Sequence, residues 1–186
     1  MRRVRMIDIN TLGRNAMNWR HIIGLSATAA LGLALLPQGA VAQKSIKDQI
    51  LGTWVIVSQT QTMKDGSTRH PAGMNPKGVN VFTPDGRFVV LFTRDDLPKL
   101  AGGDRGKATA DEARAIVEGS IGYFGSYTVD EPNKTIVYRL EGTTFPNQMG
   151  TDQRRVITLL TADELKYRNP GATSGGVLEA SFKRAK

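Results

Sequence analysis

The chain has 186 residues and not one cysteine. That absence excludes disulfide bridges, a thiolate nucleophile, cysteine-ligated zinc and lipid attachment through an N-terminal cysteine, so packing alone must hold the fold. Histidine is nearly absent too, with only His21 and His70. A histidine-based metal site needs more ligands than that, and Asp95-Asp96 and Asp111-Glu112 are acidic pairs without calcium-loop spacing. No metal and no cofactor are therefore expected. Familiar catalytic signatures are missing: there is no Gly-x-Ser-x-Gly elbow, no glycine-rich phosphate loop and no His-Glu-x-x-His motif. The nearest approach, Glu118-Gly119-Ser120-Ile121-Gly122, is one residue out of step with the serine elbow. Concentrated charge is lacking as well. The formal net charge is +8, but after residue 42 the basic residues alternate with acids and form no run, whereas a nucleic-acid surface usually shows a concentrated basic face.

The one long apolar stretch lies near the start. Residues 22–36 are apolar or small, follow Arg14 and Arg20, and end at Pro37 and Gly39. The run is shorter than the roughly 20 residues a membrane span requires. Ala40-Val41-Ala42 has the small-x-small form that signal peptidase accepts, so residues 1–42 read as a secretory signal cleaved near Ala42/Gln43 rather than as a stable membrane anchor. Met17 is an alternative start, because the stretch before it is long for a signal n-region. The leader holds five of the arginines and one aspartate, which lowers the charge of residues 43–186 to +4. The expected location is the periplasm or the cell exterior.

Residues 43–186 read as one domain of short strands between turn signals. Strand patterns occupy residues 51–62, 78–83, 87–93, 122–129, 134–142, 154–161, 164–168 and 177–183. In the first of these, alternation places Trp54, Ile56 and Ser58 on one face. Lys64-Asp65-Gly66 and Pro84-Asp85-Gly86 are hairpin turns with a mechanism. Residues 67–77 carry two prolines and read as a loop or an interrupted edge strand. Residues 94–108 are polar and glycine-rich, hence an expected mobile loop. Thr109 and Glu112 form a capping box for a short helix over about 109–119, with Ala110, Ala113, Ile116 and Val117 on one face and Gly119 at its end. About eight to ten strands joined by short turns imply an all-β, antiparallel, up-and-down sheet. Closing it into a barrel removes the exposed edges.

Gly52-Thr53-Trp54 matches a Gly-x-Trp signature. Further pieces follow in order: Ser58, Asp65-Gly66, Pro76-Lys77-Gly78, Thr83-Pro84-Asp85-Gly86-Arg87, Tyr123-Phe124-Gly125-Ser126-Tyr127, Phe145-Pro146-Asn147, Gly150-Thr151 with Arg155, and Phe182-Lys183-Arg184. With this ordered set the chain resembles the bacterial and fungal lipocalin-like domain family, of the calycin type, over roughly residues 48–184. The resemblance implies a lipocalin-like β-barrel and names no activity. Gln148, Tyr138 and Arg139 depart from what many relatives carry at those positions.

Several side chains are candidates for function. In such barrels a Trp from the first strand and a cation from the last close the floor. Alternation puts Arg184 on the face of Phe182, over Trp54, a cation–π contact worth about 0.5–2 kcal/mol. Gly52, Trp54 and Arg184 are thus expected to be structural. Tyr123 and Tyr127 share a strand face and are either hydrogen-bond handles for a ligand or core aromatics with satisfied hydroxyls. Arg139 and Arg155 lie within strand patterns. Pointing inward they would bind an anionic head-group; otherwise they are solvated, or paired with Asp152 or Glu141. Phe145 sits in a rigid loop and forms either a cavity rim or a buried bulge. His70, beside Pro71, is an ordinary loop histidine or the sole candidate for base chemistry near neutral pH. The expected function is binding of a small hydrophobic molecule within the barrel. The alternatives are a cofactor-free isomerase or cyclase using Tyr127 or His70, and a structural barrel with a filled interior.

Overall fold

The computed structural model describes residues 44–172 and 175–186. The expected leader, residues 1–42, and the alternative start at Met17 lie outside the described residues. A short helix, α1 (Ile46–Ile50), leads into β1 (Gly52–Thr62), β2 (Thr68–Arg69), β3 (Lys77–Phe82) and β4 (Arg87–Thr93). A longer helix, α2 (Ala110–Gly119), leads directly into β5 (Ser120–Asp130), followed by β6 (Thr135–Thr143), β7 (Asp152–Leu160), β8 (Glu164–Asn169) and β9 (Val177–Arg184). Strands β1 and β3 to β9 pair antiparallel in sequence order, and β9 pairs back onto β1, from Trp54 opposite Arg184 to Thr62 opposite Val177. The result is a closed eight-stranded barrel with the two-residue β2 flanking β1. Closure leaves no long edge to template association.

Turn chemistry accounts for the pairing. After Pro84-Asp85, Gly86 adopts φ 81°, which a side chain would resist. The Gly86 N–H donates to the Thr83 carbonyl at 3.1 Å, and the Thr83 N–H donates to the Arg87 carbonyl at 2.9 Å. The hairpin thereby aligns Phe82 with Phe88. Alternation then sends Phe88, Val90 and Phe92 into the barrel and Val89 and Leu91 outward. The same parity puts Ile136, Tyr138 and Leu140 inside on β6, and Leu165, Tyr167 and Asn169 inside on β8.

Two elements differ from the sequence expectation. First, β1 carries a bulge between Ile56 and Ser58. The extra residue inverts the alternation beyond it, so Ser58 is exposed while Gln59 and Gln61 turn inward. Second, α1 was not anticipated. Its Ser45 hydroxyl caps the Asp48 N–H, and the Glu131 carboxylate accepts from the N–H groups of Ile46 and Lys47 at 2.9 and 3.0 Å. Glu131 sits in the β5–β6 turn, so this helix is fastened across one end of the barrel.

That end is the floor. Ile50 and Trp54 are fully buried, and the indole Nε1 donates to the Ile50 carbonyl at 2.7 Å. The Arg184 guanidinium lies 4.1 Å from the Trp54 ring centroid. It donates to the carbonyls of Leu51 (2.6 Å), Gln49 (2.7 Å) and Ala162. One cation thus ties α1, the start of β1 and the β7–β8 turn together. Above it, Phe82 stacks on Tyr138 at 5.9 Å and Phe88 meets the same ring edge-on at 4.4 Å. Side chains fill this half of the barrel.

Helix α2 has its expected capping box: the Thr109 N–H donates to Glu112 at 2.8 Å, and the Glu112 N–H donates to the Thr109 hydroxyl. Its apolar face is not inserted into the core, however. Ala110 and Ala113 are exposed and Val117 is 73% exposed. Its last residue, Gly119, is buried where a Cβ would come within 2.6 Å of the Leu97 side chain. Close approach, not a left-handed turn, calls for glycine there.

Candidate ligand cavity

The barrel narrows to a packed floor but stays open at the other end, where a cavity of about 550 Å³ lies. Four connections reach its mouth: the segment around Pro71 and Ala72, the α2 region with Arg105 and residues 116–120, the β6–β7 connection with Thr144, Phe145 and Gln148, and the β8–β9 connection with Ala172. Phe92, Ile121 and Leu178 supply apolar wall from β4, β5 and β9. Gln59, Tyr123, Arg155, Tyr167 and Asn169 supply the polar part, and all five are buried. A largely apolar concavity with a few convergent polar groups has the form of a small-molecule site.

Arg155 is the chemical centre of this cavity. It enters from β7, opposite Ile136 of β6, and is 5% exposed. Its guanidinium carbon lies 5.6 Å from the Tyr138 ring centroid and 6.0 Å from that of Tyr167. Nη1 donates to the Arg154 carbonyl at 2.9 Å. Burial works against the charge, but the phenols of Tyr123, Tyr167 and Tyr138 around it outweigh burial, and the Arg155 pKa lies above its ordinary value. Burial also pushes the phenols of Tyr138 and Tyr167 up. Both are therefore neutral O–H groups near neutral pH, able to donate as well as accept. The Asn80 side-chain amide donates to the Tyr138 hydroxyl at 3.0 Å, below the cavity, and the Asn80 Oδ1 atom is buried without a partner among the described residues.

The structure gathers some of the sequence-predicted residues and disperses others. Tyr123, Phe145 and Arg155 line the cavity. Tyr127 does not. It shares an inward face with Tyr123 but stands four residues further along β5, roughly 13 Å by strand rise. There its ring packs edge-on against Phe82 at 5.0 Å and its hydroxyl donates to the Thr83 carbonyl, in the floor half. Arg139 points outward because Tyr138 and Leu140 point in, and it pairs with Asp152 at 3.2 Å. His70 is exposed and lies outside the cavity lining, although its neighbours Pro71 and Ala72 belong to it. Gly52, Trp54 and Arg184 sit together at the floor, where a Cβ on Gly52 would come within 3.2 Å of the Arg184 guanidinium. Sequence reasoning missed Gln59, Tyr167 and Asn169. Alternation from Leu165 would have found the last two, but the β1 bulge conceals Gln59 from any simple period.

A family model described as a lipocalin-like domain matches residues 51–181. No curated protein matches the chain. Among solved structures, it is similar to a lipocalin-like protein from Bacteroides uniformis, at 12% identity and a TM-score of 0.40, over 74% of this chain and 99% of that one. It is likewise similar to a redesigned β-barrel, at 18% identity and a TM-score of 0.40, over 77% of this chain and 100% of that one. A third is a de novo designed fluorescence-activating β-barrel, at 14% identity and a TM-score of 0.41, over 77% and 100% of the two chains.

Proposed function

The chain belongs to the lipocalin-like domain family, and from that premise we propose that it is a binding protein holding a small, largely apolar molecule in the cavity at the barrel's open end. The observation that carries this reading is the division of the interior. Aromatic rings pack the floor half, whereas the mouth half keeps about 550 Å³ lined by Phe92, Ile121 and Leu178. Desolvating an apolar ligand there supplies affinity, and the buried polar groups orient it. Residues 94–120 border the mouth through Arg105, Ile116 and Val117 and would gate entry. The filled-barrel alternative is disfavoured by the same open half. The isomerase or cyclase alternative is disfavoured by position, because Tyr127 and His70, its proton donors, do not face the cavity.

We further propose that the protein acts in the periplasm or outside the cell. The apolar run at residues 22–36 and the small-x-small site before Gln43 support this. Fractionation of expressing cells, with N-terminal sequencing of the product, tests it; a cytosolic protein with an intact N-terminus would refute it.

Native mass spectrometry of the purified protein, before and after organic extraction, tests the binding function. The expected result is a co-purifying small molecule that extraction removes. An empty protein that no member of a hydrophobic compound library stabilises against heat would overturn the reading.

A further inference from the structure

Resting on the cavity-binding reading, we propose that the ligand is a monoanion, a single carboxylate on an apolar body, held head-inward by Arg155. Arg155 is a buried cation that no acid among the described residues pairs with. Among the described residues every ion pair is a surface pair, and no carboxylate lies within 4 Å of the Arg155 guanidinium. Two acids of the neighbouring strands are engaged elsewhere: Asp152 pairs with Arg139 and Glu141 pairs with Arg87. Glu118 lines the cavity only at its exposed mouth and makes no ion pair with Arg155. A buried charge without a partner is costly, and a ligand that brings the opposite charge removes that cost on binding.

The surroundings specify the head-group further. The guanidinium has five N–H donors in a planar fork, and one nitrogen donates to the Arg154 carbonyl. The Tyr138 and Tyr167 rings stand beside it, and the side-chain amides of Gln59 and Asn169 line the same cavity, groups that can donate to an oxyanion without adding charge. Arg155 is the one buried charge of the site, Arg105 and Glu118 standing exposed and opposite in sign at the mouth, so the interior neutralises one negative charge. A dianionic phosphate would leave a net charge in a low-dielectric interior. The planar fork matches a planar carboxylate, which accepts two parallel hydrogen bonds. Outward from this head-group site, Phe92, Ile121, Leu178 and Ile116 lead to the mouth and would enclose an apolar body.

The test is a head-group series of fixed chain length, decanoate, decanol and decylammonium, titrated calorimetrically into the purified protein. Decanoate is expected to bind about tenfold or more tightly than decanol, as charge-assisted bidentate hydrogen bonds do relative to neutral ones, with decylammonium the weakest. In Arg155→Gln the ratio of decanoate to decanol affinity is expected to fall to about one. Arg155→Lys should keep part of the preference. Near-UV circular dichroism shows whether the variants are folded, and the wild-type series decides without them. Equal affinity of the wild type for decanoate and decanol would overturn the anion assignment and leave apolar binding standing. No binding by any of the three would overturn the cavity reading and this inference with it.

Discussion

Replacing Arg184 by alanine is the sharpest probe of how this barrel is closed. The substitution removes one cation and four interactions. The guanidinium donates to the backbone carbonyls of Gln49, Leu51 and Ala162 and covers the Trp54 indole at 4.1 Å. Arg184 is only half-buried, so the freed carbonyls regain water, and each bond contributes less than a buried charged one, near the low end of the ordinary range at about 0.7 kcal/mol. The cation–π contact adds about 1 kcal/mol. A total of about 3 kcal/mol follows, which for a domain of this size lowers the melting temperature by about 10 °C. Arg184→Lys keeps a point charge but loses the fork that reaches three carbonyls, so about half the loss is expected. Differential scanning calorimetry measures both. Decanoate affinity of the folded Arg184→Ala protein should be unchanged, because the cavity lies at the other end of the barrel. A melting temperature within about 2 °C of wild type would refute the claim that this residue holds the floor.

Two further outcomes are expected. All four tyrosines of the chain lie in the barrel, and burial raises the pKa of Tyr127, Tyr138 and Tyr167. A phenol whose folded pKa is raised contributes stability that is complete below its unfolded value of about 10 and is lost as pH rises beyond it. Tyrosinate absorbance of Tyr138 and Tyr167 should therefore stay absent on alkaline titration until far-UV circular dichroism reports unfolding; smooth ionisation of these two in a folded protein would contradict the burial. The Asn80–Tyr138 pair should behave asymmetrically. Tyr138→Phe alone strands the Asn80 amide and costs about 1–3 kcal/mol, whereas Tyr138→Phe combined with Asn80→Leu should return to near wild type. Urea midpoints decide this, and a double variant as weak as the single one would sink it.

Much of the fold was legible because turns in this chain are written in residues with a mechanism. Pro84-Asp85-Gly86 fixed one hairpin, the Thr109–Glu112 capping box fixed the start of α2, and alternation from Phe182 put Arg184 over Trp54. Helix α1 was not legible. It is five residues long, and the carboxylate that caps it, Glu131, is 85 residues away from Ile46 in sequence. The cavity residues divide along the same line. Tyr123 and Arg155 follow from period-two parity on strands without interruption before them. Tyr127 has the right parity and the wrong depth, because alternation reports which face a residue takes and not how far along the barrel it stands. Gln59 follows a bulge, which no propensity marks, so its inward turn emerges only when β1 pairs with β9.

The Arg184 clasp also dictates when the barrel can form. The residues it joins, Gln49 and Arg184, are 135 positions apart, and β1 keeps an unpaired edge until β9 arrives. The whole domain must be present before its first strand is satisfied. A chain still emerging from the ribosome offers that edge to any neighbour able to add a strand. Contacts this distant in sequence also slow the search for the native state. Completion of the chain therefore sets the earliest moment of folding, and a truncation removing only β9 would leave an aggregation-prone open sheet rather than a smaller barrel.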